Sequence, residues 1–388
     1  MPHNLENSDK NQLAELRQEI EDIDRDLLDL FSRRMAVARS VADFKATNGS
    51  PVFDPLREEE VVAKALAHVS QDDAIRAETL LRSLMRLSRG AQYEKLLRLG
   101  LKFDLGSLID SAPQVIPTLN RLAYQGSPAS YAAQAARKLF PSVTSLAAPT
   151  WDEACRLVVS GEADLAVLPL ENTTAGTVDE VYDLLLKYDL WIWRSLSLPI
   201  QHCLLGVPGS KMEDVRGVVS HPQALSQCSD LIRIRGWSSR ESQNTAFAAA
   251  EVARLGDPAL AAIASESAAI DSQLTVLSRE ICNSHVNQTR FVAVGRSLVI
   301  TPDADRISLA LRLPHQSGAL AATLAVFGDR GLNLSKIESR PDLDNPWTYL
   351  FYLDFESPGE RNPQALATLL QLSREMPMLR LLGWYHEE

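Results

Sequence analysis

Apolar residues recur at steps of three and four near the start of the chain, at Leu13, Leu16, Ile20, Ile23, Leu27, Leu30, Val37 and Val41. That spacing places them on one stripe and predicts a long amphipathic helix. The stripe breaks at Arg34. Asn48-Gly49-Ser50-Pro51 ends the helix, and Asp54-Pro55 supplies an N-cap with proline at the first helical position, so a second helix starts there. Its pattern fades near Ser70–Asp73, and a third helix is expected from about Ala74 to Leu97. Residues 10–98 thus form an all-helical region. The segment 99–118 carries Gly, Ser and Pro without periodicity and reads as a linker.

From 119 to 298 the period changes. Short apolar runs at Leu122–Tyr124, Leu165–Leu168, Val215–Val219, Leu260–Ile263 and Phe291–Val294 predict strands. Helical patterns fall between them at Tyr131–Leu139, Val178–Leu186, Gln223–Ile234 and Thr245–Leu255. Such alternation implies an α/β region of one domain or two lobes with a cleft. Residues 304–388 read strand Ile307–Leu313, helix Gly318–Phe327, strands Leu332–Ser339 and Trp347–Phe355, helix Pro363–Ser373 and strand Leu379–Tyr385. The order βαββαβ is that of a ferredoxin-like α+β unit.

The 388 residues carry a formal net charge of -11, which argues against binding nucleic acid through a basic field. An anionic substrate must therefore be met by local Arg and Lys. Cys155, Cys203, Cys228 and Cys282 lack C-x-x-C spacing, so free thiols are expected rather than zinc or disulfides, and no metal or cofactor is implied. The polar start MPHNLENSDK and the lack of a run of about 18 apolar residues predict a cytoplasmic protein without a membrane partner.

Lys45 follows Arg34 by eleven residues, about 20° round the helix, so both lie on one face. Taken singly they read as solvated charges, but the face is otherwise apolar and a buried cation needs a counter-anion. Arg17 lies about 25 Å from Arg34 along the axis and on another face, so it joins a site with Arg34 only across a dimer. Asp54, Arg57 and Glu58 open the second helix, and Ser88 and Gln92 stand one turn apart on the third.

This set, Leu16-Arg17, Arg34, Lys45, Asp54-x-x-Arg57-Glu58 and Ser88-x-x-x-Gln92, resembles the all-helical chorismate mutase family, in which a dimer of three-helix chains shares two sites. The resemblance implies that the partner's Arg17, together with Arg34 and Arg57, holds the carboxylates of chorismate, that Lys45 and Gln92 donate to its ether oxygen, and that Glu58 binds its hydroxyl with Ser88 in support. Asp54 joins the substrate-binding set. The chemistry agrees: a unimolecular Claisen rearrangement needs a clamped conformer and charge stabilisation, with no nucleophile.

In the α/β region three clusters stand next to strands: Glu171-Asn172 within Pro169–Thr173, Ser220 within Ser220–Gln223 with Gln227-Cys228 a turn on, and Thr289-Arg290 within Asn287–Phe291. Each alone reads as a cap or turn. With Ala123–Gly126, Gly176, His202–Leu205, Thr245-Ala246 and Ala261–Ser265 in order, they resemble the prephenate dehydratase family. The resemblance implies two α/β lobes, like periplasmic binding proteins, around a cleft that converts prephenate to phenylpyruvate. Thr289 is then the hydroxyl-side catalytic residue, and Arg290 a carboxylate or structural partner. Because a threonine hydroxyl is a poor acid, hydrogen bonding to the departing oxygen is favoured over full general-acid transfer, and the sequence leaves both open. Glu171, Asn172, Ser220, Gln227 and Thr245 line the site. The first loop departs from the family, with Ala129 for a glycine and Ala132 for a serine. That departure leaves arogenate open as a substrate and raises the reading of a mutase with an inactive dehydratase. Ser130 stays as a substrate contact.

Gly318-Ala319-Leu320 at a helix start and Glu338-Ser339-Arg340-Pro341, followed by Asn345-Pro346-Trp347, resemble an ACT regulatory domain. Phenylalanine is implied to bind where two such domains meet and to inhibit the enzyme, as a homodimer or higher homo-oligomer. A chain ending near Val299 is then expected to keep dehydratase activity. A ligand-sensing regulator is the competing class; the Arg34, Lys45, Arg57, Glu58 and Gln92 set argues against it.

Overall fold

A computed structural model describes residues 3–284, 286–342, 345, 348–357 and 361–388, with side chains from residue 11 onward. Part of the expected Asn345-Pro346-Trp347 phrase, Pro346 and Trp347, lies outside the described residues. Helices α1 (His3–Asn48), α2 (Pro55–Leu66) and α3 (Ala74–Arg98) open the chain, followed by α4 (Asp104–Ser111). Next come β1 (Arg121–Gln125), α5 (Tyr131–Leu139), β2 (Thr144–Ala148), α6 (Trp151–Ser160), β3 (Leu165–Asn172), β4 (Gly176–Thr177), α7 (Asp179–Lys187) and β5 (Trp191–Pro199). The chain continues through β6 (Cys203–Gly206), β7 (Gly217–Ser220), α8 (Pro222–Gln227), α9 (Ser229–Arg235), β8 (Ser238–Glu241), α10 (Thr245–Leu255), β9 (Leu260–Ala264), α11 (Glu266–Asp271) and β10 (Thr275–Ser278), and returns along β11 (Gln288–Gly295). The last six elements are β12 (Arg306–Arg312), α12 (Ala319–Gly328), β13 (Leu334–Pro341), β14 (Tyr349–Glu356), α13 (Pro363–Glu375) and β15 (Met378–Glu387).

Two compact units result: Met1–Ser107 with Arg312–Asn333 and Arg361–Leu379, and Leu108–Leu311 with Leu334–Glu360 and Arg380–Glu388. In the first, Asp54 caps α2 as its spacing predicts, accepting from the Arg57 backbone N–H at 3.1 Å. Tyr93 of α3, Phe103 and Leu370 of α13 form a buried cluster. The stretch read as a linker is in part ordered: Phe103 is buried and α4 follows it, burying Ile109. About two turns of helix are too few to show a period, which is why the sequence pattern missed it.

The second unit holds two sheets. One runs β13-β14-β12-β15-β5-β11-β3-β1-β2, with β4 on β3; the other runs β10-β6-β9-β7-β8. They form the two α/β lobes, the chain crossing between them from β5 to β6 and back from β10 to β11. Strands β1 to β3 are parallel, whereas β11 runs antiparallel to both β3 and β5. Leu165, Ala166, Val167 and Leu168 are fully buried, as a strand covered on both faces requires. Cys228 divides the helix expected over Gln223–Ile234 into α8 and α9.

The βαββαβ order is present in the last region. Its strands do not stand apart, however: β15 pairs in parallel with β5 and so extends the sheet of the first lobe. Gly383 permits this approach, since a Cβ there would lie 2.5 Å from the Ile192 carbonyl oxygen. No described helix is long and apolar enough to cross a membrane.

Candidate active sites

In the helical unit, α1 packs along α3. Arg34 donates through Nη1 to the Leu84 carbonyl at 2.7 Å and to Ser88 Oγ, and Ser88 Oγ donates in turn to Leu84 O at 2.8 Å. Lys45 Nζ donates to Val52 O at 3.0 Å. Burial pulls the pKa of Arg34 below its ordinary value, opposed by Glu58. Burial likewise lowers that of Lys45, opposed by Asp54 and Glu58. The two cations and Glu58 thus share one field.

Gln92 is buried, its Nε2 donating to Ser88 O at 3.3 Å while Oε1 has no partner among the described residues. Such a group is costly unless a ligand meets it. Arg57 is placed differently. It is exposed and paired with Glu60 at 2.8 Å. Arg17 is exposed on α1, on the stretch where Leu13, Leu16, Ile20, Ile23 and Leu27 are about half exposed as well.

Arg89 was missed by sequence reasoning. Its Nη1 reaches Glu58 Oε2 at 2.7 Å, its Nε reaches Glu375 Oε1 at 2.8 Å, and its guanidinium lies 4.8 Å from the centre of the Phe53 ring. Beside Ser88 it reads as one more solvated charge. The available signal was the series Arg82, Arg86 and Arg89 at i, i+4 and i+7, a cationic stripe needing acidic partners.

In the two-lobed unit a cavity of about 650 Å³ opens between the sheets. Asn172, Gln227, Thr245 and Thr289 line it, joined by Gln125, Ser130, Tyr131, Ala132, Trp151, Thr177, His202, His221, Asn244 and Phe291. Asn172 Nδ2 donates to Thr289 Oγ1 at 2.9 Å and to Asn287 Oδ1 at 2.8 Å, while Asn172 Oδ1 accepts from Thr174 Oγ1 at 2.7 Å. Across the cleft Gln227 Nε2 donates to Thr174 Oγ1 at 2.7 Å, and its Oε1 lies 3.1 Å from His202 Nε2. Burial drives the imidazole of His202 down to about 4. It is therefore neutral, and Nε2 carries the proton. Ser130 caps α5, accepting from the Ala133 N–H at 3.2 Å.

Two expected lining residues, Glu171 and Ser220, are not in this cavity, and of the two roles open to Arg290 its contacts favour the structural one. Along β11 successive side chains point to opposite faces, so Thr289 and Phe291 face the cleft and Arg290 faces away. Arg290 is spent on Asp354 at 2.6 Å and Glu171 at 3.1 Å. Glu171, its cross-strand neighbour, also binds Lys336 Nζ at 3.0 Å. Ser220 is fully buried and donates to Ile263 O, tying β7 to β9. Ala129 needs no left-handed backbone: it is not among the positive-φ residues, it packs in the core of the second lobe, and its carbonyl accepts from Ser265 Oγ at 3.2 Å. The loop is built without the glycine.

Strand β13 alternates as well. Lys336, Glu338 and Arg340 are half-buried, whereas Ile337, Ser339 and Pro341 face outward. Glu338 accepts from Thr177 Oγ1 at 2.8 Å, and Arg340 donates to Asp179 O at 2.6 Å and binds Asp183 at 2.8 Å. Gly318 has φ +77°, with nothing among the described residues within 4 Å of where a Cβ would sit, and Ala319 and Leu320 begin α12 behind it.

Fold and sites define a multidomain enzyme with a helical site rich in cations and a two-lobed α/β cleft lined by hydroxyls, amides, imidazoles and the carboxylates Asp179 and Glu180. A family model for "Chorismate mutase type II" matches residues 16–93, and one for "Prephenate dehydratase" matches 122–298. The bifunctional chorismate mutase/prephenate dehydratase of Enterobacter agglomerans is 33% identical over 97% of each chain. The arogenate dehydratase/prephenate dehydratase 1 of Arabidopsis thaliana is 38% identical over 68% of this chain and 71% of its own. The crystal structure of prephenate dehydratase from Arthrobacter aurescens in complex with L-Phe superposes with a TM-score of 0.63 at 28% identity, over 69% of this chain and 90% of that one. The chain belongs to the bifunctional chorismate mutase/prephenate dehydratase family. It rearranges chorismate to prephenate and converts prephenate to phenylpyruvate, in phenylalanine biosynthesis.

Proposed function

We propose that residues 10–98 carry the mutase, 119–298 the dehydratase and 304–388 the response to phenylalanine. In the mutase, Arg34 and Lys45 meet the substrate's carboxylate and ether oxygen, Glu58 its hydroxyl, and Gln92, whose Nε2 keeps a second proton beyond its bond to Ser88 O, completes the site. Arg17 enters from a second copy of the chain, and the exposed apolar stripe of α1 is the surface that copy covers. Arg57 must leave Glu60 and swing inward to reach a carboxylate.

In the dehydratase, the observation that carries the reading is the Asn172–Thr289 hydrogen bond. Because Nδ2 donates to Oγ1, the threonine's own proton is left to donate into the cleft. A hydroxyl is a weak acid, so it stabilises the departing hydroxide by hydrogen bonding as carbon dioxide leaves and the ring becomes aromatic. Among the described residues, no lysine or arginine lines the cavity. The pyruvyl carboxylate is therefore received by neutral donors and by the first turns of α5 and α10, where backbone N–H groups carry partial positive charge. Arg290 and Glu171 hold the strand pair from behind. The Arthrobacter relative's bound L-Phe supports phenylalanine as the effector here, acting through Gly318–Leu320 and Glu338–Pro341. The protein works in the cytoplasm.

The test is to supply chorismate to the full chain and follow prephenate and phenylpyruvate, with and without phenylalanine. Both products should appear in sequence, and phenylalanine should suppress the second. Prephenate accumulating without phenylpyruvate would leave only the mutase. Arogenate consumed in preference to supplied prephenate would reassign the cleft's substrate.

A further inference from the structure

We propose that Arg89 and Glu375 are positioning residues of the mutase, Glu375 in α13 holding Arg89 so that Arg89 fixes the Glu58 carboxylate in the site. The inference rests on the role given to Glu58 above. Arg89 sits one residue after Ser88 on α3, between two positions that define the site. Its side chain is 12% exposed and that of Glu375 is 6% exposed. Arg89 Nη1 contacts both Glu58 oxygens, and Nε is left for Glu375 at 2.8 Å. A planar guanidinium has the fork needed to hold two carboxylates in fixed directions, and its face is closed off by Phe53.

The position of Glu375 is itself well determined. Arg86 binds Asp329 at 2.8 Å, Glu94 binds Arg330 at 3.4 Å, and Arg330 donates to Gln371 Oε1 at 2.8 Å. Leu370 packs into the cluster with Tyr93 and Phe103. These contacts run along α3 on both sides of Arg89, so the turn of α13 that bears Glu375 has little freedom. A carboxylate buried there has its pKa raised by desolvation, and Arg89 is the cation that opposes the shift. Remove Glu375, and Arg89 gains a second conformation; Glu58 then loses the fork that aims it. The mutase thereby depends on a residue about 280 positions beyond its own helices.

The experiment uses the full chain and two assays, chorismate consumption and dehydration of supplied prephenate. Glu375→Leu should lower mutase kcat/KM by about 10-fold, the scale of a misaimed contact group, with dehydration unchanged as the control for folding. Arg89→Met should lose at least as much, and Arg89→Lys should recover part of it, because an ammonium still reaches Glu58 as a point charge. The double variant Arg89→Met/Glu375→Leu should be no worse than Arg89→Met alone, since Glu375 acts through Arg89. A mutase unchanged in Glu375→Leu, or losses that multiply in the double variant, would overturn the inference. Glu58→Gln separates it from the reading beneath: wild-type mutase in that variant removes the role of Glu58 and this inference with it, whereas a damaged Glu58→Gln beside a normal Glu375→Leu removes this inference alone.

Discussion

In the cleft, Asn172 is bonded at both ends of its side-chain amide. Its Oδ1 closes the turn at Thr174 and Ala175, and its Nδ2 points at Thr289. A short side chain with both donor and acceptor ends can fix a loop and polarise a hydroxyl at once. Thr289→Ala should therefore lower dehydratase turnover by at least ~10²-fold, the scale of a lost transition-state donor, while Thr289→Ser keeps most of it and the mutase is untouched. Turnover of prephenate by the two variants, measured side by side, checks this. His202 makes a different prediction. Its folded pKa is depressed to about 4, so the unfolded chain takes up the proton first as pH falls. The stability it contributes is complete above about pH 6.5 and is lost towards pH 4, by no more than about 3 kcal/mol. Urea midpoints between pH 7 and 4.5 should fall in the wild type and fall less in His202→Gln. Equal slopes would mean the imidazole is not held neutral.

At the scale of elements, the three long helices and the βαββαβ order are legible in the sequence because each carries its own period and punctuation. Asp54-Pro55 announces α2, and β11 is a run of apolar residues. What the sequence does not show is which way each side chain of a site-bearing strand points. Thr289 and Arg290 look equally available in a string of letters; the pleat sends one to the cleft and the other to Asp354. Ser220 beside His221 likewise looks like a lining hydroxyl, yet it is consumed holding β7 to β9. Short elements such as α4, β6 and β10 carry too few residues for a period. Pairing is also invisible: nothing local to Gly383 says that β15 will join β5. A chain ending near Val299, expected from sequence to keep dehydratase activity, should on these contacts lose part of it. It exposes the edge of β5 and strips Arg290 of Asp354, a buried cation without its main partner. The better probe of regulation is a single face of β13. Lys336 and Glu338 grip Thr177, which lines the cavity. Lys336→Met should keep prephenate turnover within about threefold but weaken inhibition by phenylalanine, since a ligand acts only through a difference between two conformations. Unaltered inhibition in a folded, active variant would place the route elsewhere.

For the whole molecule, the unanswered structural demand is α1. Leu13, Leu16, Ile20, Ile23, Leu27 and Leu30 are each about half exposed, and Phe44 is 67% exposed. A contiguous apolar stripe of this length is far more than a soluble monomer usually leaves open. Arg17 lies on the same stretch of helix, about 25 Å along the axis from Arg34, and no fold of a single straight helix brings the two together. Two copies with their α1 helices antiparallel would cover the stripe and carry each Arg17 to the other copy's Arg34. Under that arrangement Arg17→Ala and Arg34→Ala are each inactive as mutases, because every site lacks one clamp. When the two variants are mixed and allowed to exchange subunits, each mixed dimer has one site with both lesions and one with neither. If exchange is random, half the dimers are mixed and each has one intact site, so about a quarter of wild-type mutase activity should return, while dehydratase activity stays constant throughout as the measure of protein. Exchange demonstrated by mass-labelled subunits with no return of mutase activity would show that Arg17 acts within its own chain or not at all, and the exposed stripe would then need another explanation.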